Sequence, residues 1–226
     1  MIEAIRLFAD WAEVWIFLIP LFFILRCKKD LPGYLKPVKL YIFIGLFINI
    51  IILISWKYKN KWGLPDFLHS NNFLYNIHSI VRLLLFSLFF IKLNQPFLPR
   101  LKKLLPIGFL IFVIINFSFF EDFYTIRMFS SVMLSIEAAI ILFYCLQYLL
   151  FLAQEEKDIV FHKQPGFWIV VGLSIYEAVS FPIFLLYTTL VTAVEKFSIG
   201  IWDVHNTFLL ILCILIAKTF RGYAKQ

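Results

Sequence analysis

The sequence predicts an all-α membrane protein: a seven-transmembrane-helix bundle with the N-terminus outside and the C-terminus in the cytoplasm. Three observations carry this. First, 62% of the 226 residues are hydrophobic, 28 of them phenylalanine, and only 15% are charged, against about 25% in a soluble domain. Second, the apolar residues fall in seven runs, each near the ~20 residues that cross a bilayer. Third, the basic residues favour one side. Fourteen of the 21 Lys and Arg lie after helices 1, 3 and 5 or at the C-terminus, six lie on the other side, and Arg82 is the remaining one. That is the positive-inside pattern. Lys57, Lys59 and Lys61 run against it without reversing it. The formal charge of +7 therefore reports topology, and no nucleic-acid partner is expected.

Helix 1 is expected over about 8–26, with Pro20 kinking it by freeing the Ile16 carbonyl and Trp11 and Trp15 at the outer interface. One Arg and three acids precede its apolar run, so no removable signal is expected. A basic Pro-Gly loop leads to helix 2, about 37–56, with Asn49 inside. Helix 3, about 72–91, reads NFLYNIHSIVRLLLFSLFFI. Helix 4, about 104–120, follows a basic loop with two prolines and has Asn116 as its strongly polar interior residue. Helix 5, about 124–153, is long enough to project beyond the bilayer. Helix 6, about 165–187, has Trp168 at the inner interface and Pro182 in its outer half. A mixed connection over 188–201 leads to helix 7, about 202–220. The whole of 1–226 reads as one membrane domain. Three helices, a linker helix 4 and three more would fit an inverted repeat, but the QP pairs at 95 and 164 do not support one.

The chain is organised around helix 3, where His78 and Arg82 stand one turn apart on one face. An arginine near the bilayer centre costs at least ~2.5 kcal/mol and seldom faces lipid. Glu137 and Glu177 are the other charges deep in apolar runs. Helical rise puts Arg82 roughly 13 Å, Glu137 roughly 18 Å and Glu177 roughly 15 Å from the outer surface, near the middle of a ~30 Å core. The three should meet. One arginine with two ionised glutamates leaves an excess negative charge, so one Glu or His78 holds a proton, and such a coupled set titrates near neutral pH. The competing reading is an ion-pair network that only fixes helix register.

A shallower group, Glu13, Tyr75, Asn116, Asp203, His205 and Asn206, is expected to line an outer vestibule. In WDVHN, Asp203 and Asn206 share a face and His205 lies off it. Alternatively Asp203 caps helix 7 and Trp202 anchors it. Asn49 and Asn116 also fit interhelical hydrogen bonding.

Several chemistries are excluded or weakened. Helix 7 lacks the mid-helix lysine of a retinal Schiff base, and Lys218 should snorkel. A zinc hydrolase needs about three histidines with carboxylates. The four are His69, His78, His162 and His205, without HxxxH or HExxH spacing and with His162 on the wrong side. His78, His205, Asp203 and His69 form a conceivable outer site. No GxSxG, P-loop or dinucleotide fingerprint occurs. Cys27, Cys145 and Cys213 suggest neither a disulfide nor a thiolate site. No cofactor, resident metal or catalytic residue is expected. A transporter would use the midplane charges with kinks at Pro20 and Pro182, although Gly45, Gly108 and Gly172 are the few glycines inside helices.

The stretches KQPGFWIVVGLSIYEAVSFPIF, YNIHSIVRLLLF and SIEAAIILFYCLQYLL resemble a small bacterial seven-helix membrane family of uncharacterised function, similar to the membrane sensor regions of some histidine kinases. Pro165, Phe167 and Trp168 match the family's entry to helix 6, and Glu137 its mid-helix acid. The resemblance implies a sensory role. Nothing catalytic follows Gln226, so a cytoplasmic signalling protein is the expected partner, beside the lipid bilayer and a small extracytoplasmic ligand. The expectation is a bacterial inner-membrane sensor or receptor-like protein. Proton-coupled or small-solute transport is the alternative, and a membrane metal hydrolase the second.

Overall fold

The computed structural model describes residues 11–28, 30–63, 71–94, 96–124, 129–154, 160–193 and 195–224. Among these the regular structure is helical: α1 Ala12–Arg26, α2 Leu35–Trp62, α3 Asn72–Lys92, α4 Pro99–Phe119, α5 Ser131–Gln154, α6 Phe167–Ala193 and α7 Glu195–Ala224, with a 3₁₀ turn at Phe161–Lys163 before α6. Six of the seven, α2 to α7, are long and apolar enough to cross a bilayer. The chain is a multi-pass helical membrane protein. The described part of α1 has 15 residues, or roughly 22 Å, and the expected start at residue 8 lies outside the described residues.

Three boundaries differ from expectation for local reasons. Helix α5 begins at Ser131, because the Ser130 hydroxyl accepts the Met133 backbone N–H at 3.1 Å, the N-cap arrangement of serine. The carboxamide oxygen of Asn76 on α3 accepts the Ser130 N–H at 3.2 Å. Helix α7 begins at Glu195, so most of the expected connection over 188–201 is helical. Helix α2 continues to Trp62. The helices run unbroken through Pro20 and Pro182.

Six helices close a ring in the order α1, α2, α3, α5, α6, α7 and back to α1; α4 packs outside it against α3 and α5. Aromatic side chains fill the ring: Phe17, Tyr41, Phe86, Phe89, Phe90 and Tyr144 are fully buried. Phe90 stacks on Tyr144 at 5.2 Å. One end is tied by short polar links. Tyr34 and Tyr223 share a hydrogen bond at 2.9 Å, Tyr148 donates to the Pro165 carbonyl at 2.8 Å, and the Lys218 ammonium sits 3.2 Å over the Trp168 ring. Gly166 makes the entry to α6 with φ +75°, where a Cβ would also meet Phe89 at 2.9 Å. Only glycine adopts this backbone without strain.

Candidate functional site

The ring brings Arg82, Glu137 and Glu177 together. Arg82 sits on α3 three residues after Ser79, so both point to one side. Glu137 on α5 accepts from Arg82 Nε and from the Ser79 hydroxyl. Arg82 Nη1 donates to the Tyr176 hydroxyl at 2.8 Å, and its guanidinium lies 5.3 Å from the centre of that ring. Glu177, the next residue on α6, reaches Arg82 Nη2 only at 3.9 Å. That is beyond hydrogen-bond length. Both Glu177 carboxyl oxygens are buried without a hydrogen-bond partner among the described residues. Relative exposure is 4% for Arg82 and 0% for each glutamate. The two acids are therefore unequal: Glu137 is fully engaged, whereas Glu177 makes no hydrogen bond among the described residues and feels Arg82 and Glu137 only through their charges.

The row continues into α7. The Tyr176 hydroxyl is 3.1 Å from His205 Nε2, and Ser180 Oγ is 3.3 Å from His205 Nδ1. His205 is buried, contrary to the expectation that it lies off the polar face. Asp203 is exposed, with its carbonyl accepting from Thr207 at 2.7 Å. The reason is the longer α7: WDVHN lies inside the helix, Asp203 caps nothing, and helical phase turns His205 inward. Asn206 is half-buried, and its carboxamide oxygen has no hydrogen-bond partner among the described residues.

A cavity of about 40 Å³ adjoins the cluster. It is lined from all six ring helices, by Glu13 of α1, Asn49 of α2, Tyr75, His78, Ser79 and Arg82 of α3, Glu137 of α5, Tyr176 of α6 and His205 of α7, among others. It has room for a few waters and is far below the ~300 Å³ of a small-molecule pocket. Glu13 hydrogen-bonds Tyr75, whose ring stacks on Trp202 at 6.5 Å. Phe129 and Tyr187 pack beside them, with ring centres 4.5 Å apart. On the opposite wall His78 stacks on Tyr41 at 5.8 Å. Gly45 makes this possible, because a Cβ there would lie 2.6 Å from Phe17 and 3.3 Å from His78 Nε2.

Asn116 does not join the site. It belongs to α4, outside the ring, and its side chain donates to Glu121 at 3.0 Å across the end of that helix. Glu137 stands nearer its helix start than expected, six residues after Ser131, or roughly 9 Å. Sequence reasoning missed Ser79 and Tyr176, whose signal was spacing: one stands three residues before Arg82, the other beside Glu177. It also missed Asn76, which anchors the start of α5. His162 lies on the 3₁₀ turn before α6, away from the cavity. Among the described residues no three His, Cys, Asp or Glu side chains are grouped to hold a metal ion, and His69 lies outside the described residues. Comparison of the chain with protein-family models, with curated proteins and with solved structures finds no match.

Proposed function

We propose that the protein is a seven-helix sensor of the bacterial inner membrane, with its N-terminus outside and its C-terminus cytoplasmic, receptor-like in signalling through a cytoplasmic partner. The observation that carries the reading is the inequality of the two glutamates. Glu137 holds Arg82 in place, while Glu177 can gain or lose a proton without breaking a hydrogen bond. The small cavity narrows the stimulus to a proton or a small ion, entering from the outer side. The groups facing Glu177 are Arg82 from α3, Glu137 and Cys145 from α5 and, one hydroxyl further, His205 beside Tyr176. As a carboxylate, Glu177 draws Arg82 toward α6; as an acid it releases that pull. The change in packing would reach the turn around residues 160–166 and the partner.

The test is a distance measurement between spin labels at the exposed Lys36 and Lys163 in lipid nanodiscs, in a background with Cys27 replaced. The distribution should shift between about pH 5 and about pH 9, a window that brackets the titration of buried carboxyl groups, and Glu177→Gln should remove the shift. A distribution that stays fixed in the parent, or still shifts in the variant, refutes the reading. Proton-coupled transport is the second reading. It is favoured by the row of exchangeable groups Ser180, His205, Tyr176, Arg82, Glu137 and Ser79. Dissipation of an imposed proton gradient in proteoliposomes, lost in Glu177→Gln, would decide for it.

A further inference from the structure

The basic start of α4 plays no part in the polar centre, yet it stands at the head of an apolar groove. The groove, about 320 Å³, lies between α4 and α5 and is lined by Leu104, Leu105, Gly108 and Phe112 of one helix and Ile136 and Ile140 of the other. It begins beside Leu101. From there to Phe112 is eleven residues, roughly 16 Å of helix, about half of a ~30 Å hydrocarbon core. One leaflet's acyl chain has that depth. Gly108 forms an open part of the wall, since a Cβ there would meet nothing within 4 Å.

Arg100, Leu104 and Gly108 follow one another at intervals of four, so the guanidinium continues the groove's own stripe past its end. Lys103, three residues after Arg100, stands beside it on the helix surface, on the flank turned away from the groove, and both basic side chains are exposed. Residues 92–120 contain no Asp or Glu, and no ion pair joins Arg100 or Lys103 to an acid among the described residues. Helix α4 is the least buried of the six candidate spans and touches only one side of the ring, so the groove faces the bilayer. From these observations we propose that the α4–α5 groove is a binding site for an anionic glycerophospholipid. One acyl chain lies along Leu104, Gly108 and Phe112, and the phosphate lies between Arg100 and Lys103.

A second copy of the chain fits the same face less well. A two-fold axis along the membrane normal would bring the same patch of each copy together. Arg100 and Lys103 would then face their own duplicates at equal depth, like charge against like, whereas a phosphate supplies the missing negative charge. Basic pockets between transmembrane helices recognise anionic headgroups by this chemistry. The inference is independent of the sensor reading and stands or falls without it.

The experiment is native mass spectrometry of protein equilibrated with equal amounts of a phosphatidylglycerol and a phosphatidylcholine of matched chains. Two basic contacts near the surface should give roughly a 30-fold excess of the anionic lipid in the bound population. The double variant Arg100→Gln, Lys103→Gln should bring the two lipids to near parity while lipid still binds. Gly108→Phe should abolish binding of both, because its ring fills open space and leaves the fold intact, as a thermal melt checks. Equal binding of the two lipids by the parent chain overturns the proposal. So does undiminished binding in Gly108→Phe. A protein dimer that Gly108→Phe dissociates would assign the groove to a second copy and overturn it equally.

Discussion

The inequality of Glu137 and Glu177 makes a quantitative prediction. Glu137→Gln keeps the shape of the side chain and removes the charge that Arg82 is bonded to. Arg82 is then a buried cation whose remaining counter-charge is 3.9 Å away. Breaking one side of a buried pair costs about 3–5 kcal/mol. For a chain of this size each kcal/mol moves the melting temperature by about 2–4 °C, so a fall of about 6–20 °C is expected. Glu177→Gln removes no hydrogen bond between described residues and swaps a buried carboxyl for a neutral group of the same shape, so a smaller loss than that of Glu137→Gln is expected. Thermal melts in one detergent, followed by a thiol-reactive dye or intrinsic tryptophan fluorescence, compare the two. Adding Arg82→Met to Glu137→Gln should cost less than the two singles together, by about 0.5–3 kcal/mol, since the second change removes the group the first left unpaired. If Glu177→Gln destabilises as much as Glu137→Gln, or more, Arg82 is shared equally and the reasoning is wrong.

Three further outcomes are expected. Tyr176→Phe takes one acceptor from Arg82 and one partner from His205, and should lower stability by about 1–3 kcal/mol in the same melts. Gly45→Ala forces the Phe17 ring away from α2 and disturbs the stack on His78; the overpacking should cost about 1–3 kcal/mol, less the ~1 kcal/mol that alanine gains in helix propensity. Ser130→Ala removes the cap of α5 at about 1 kcal/mol, and hydrogen exchange at residues 131–134 should rise while that at 141–148 holds.

Much of the fold was legible because hydropathy reports which segments leave water. The helices of the described residues lie where hydropathy puts them, and six of the seven are long and apolar enough to cross a bilayer. Their neighbours were not legible, since an apolar run is equally stable against lipid and against another helix. Helix α4 shows the consequence. Its Asn116 looked like a contribution to a shared polar centre, but α4 packs outside the ring and that side chain is used within its own helix end. Boundaries failed where a side chain rather than hydropathy sets the end: Ser130 and Asn76 start α5 several residues late, and WDVHN resembles a cap although α7 is already under way.

At the site, charge was legible and hydrogen bonding was not. Arg82, Glu137 and Glu177 announce themselves because each is costly in an apolar run. Ser79, Tyr176 and Asn76 are cheap there and raise no signal alone. Yet they decide what the charges do. Asn76, Ser79 and Arg82 recur at intervals of three on α3 and hold α5 at Ser130 and Glu137, seven residues apart. These two parallel helices are thus pinned at both ends of the same two turns, which fixes the height of Glu137 against Arg82. Among the described residues nothing comparable pins α6 to α3, where Tyr176 supplies one hydrogen bond to Arg82 and turns its other to His205 on α7, and Glu177 supplies none. Among the three charges, Glu177 is therefore the one whose protonation can change while every described hydrogen bond to Arg82 survives. A register-fixing network needs no such member: its purpose would be served by Arg82, Glu137, Ser79 and Asn76 alone.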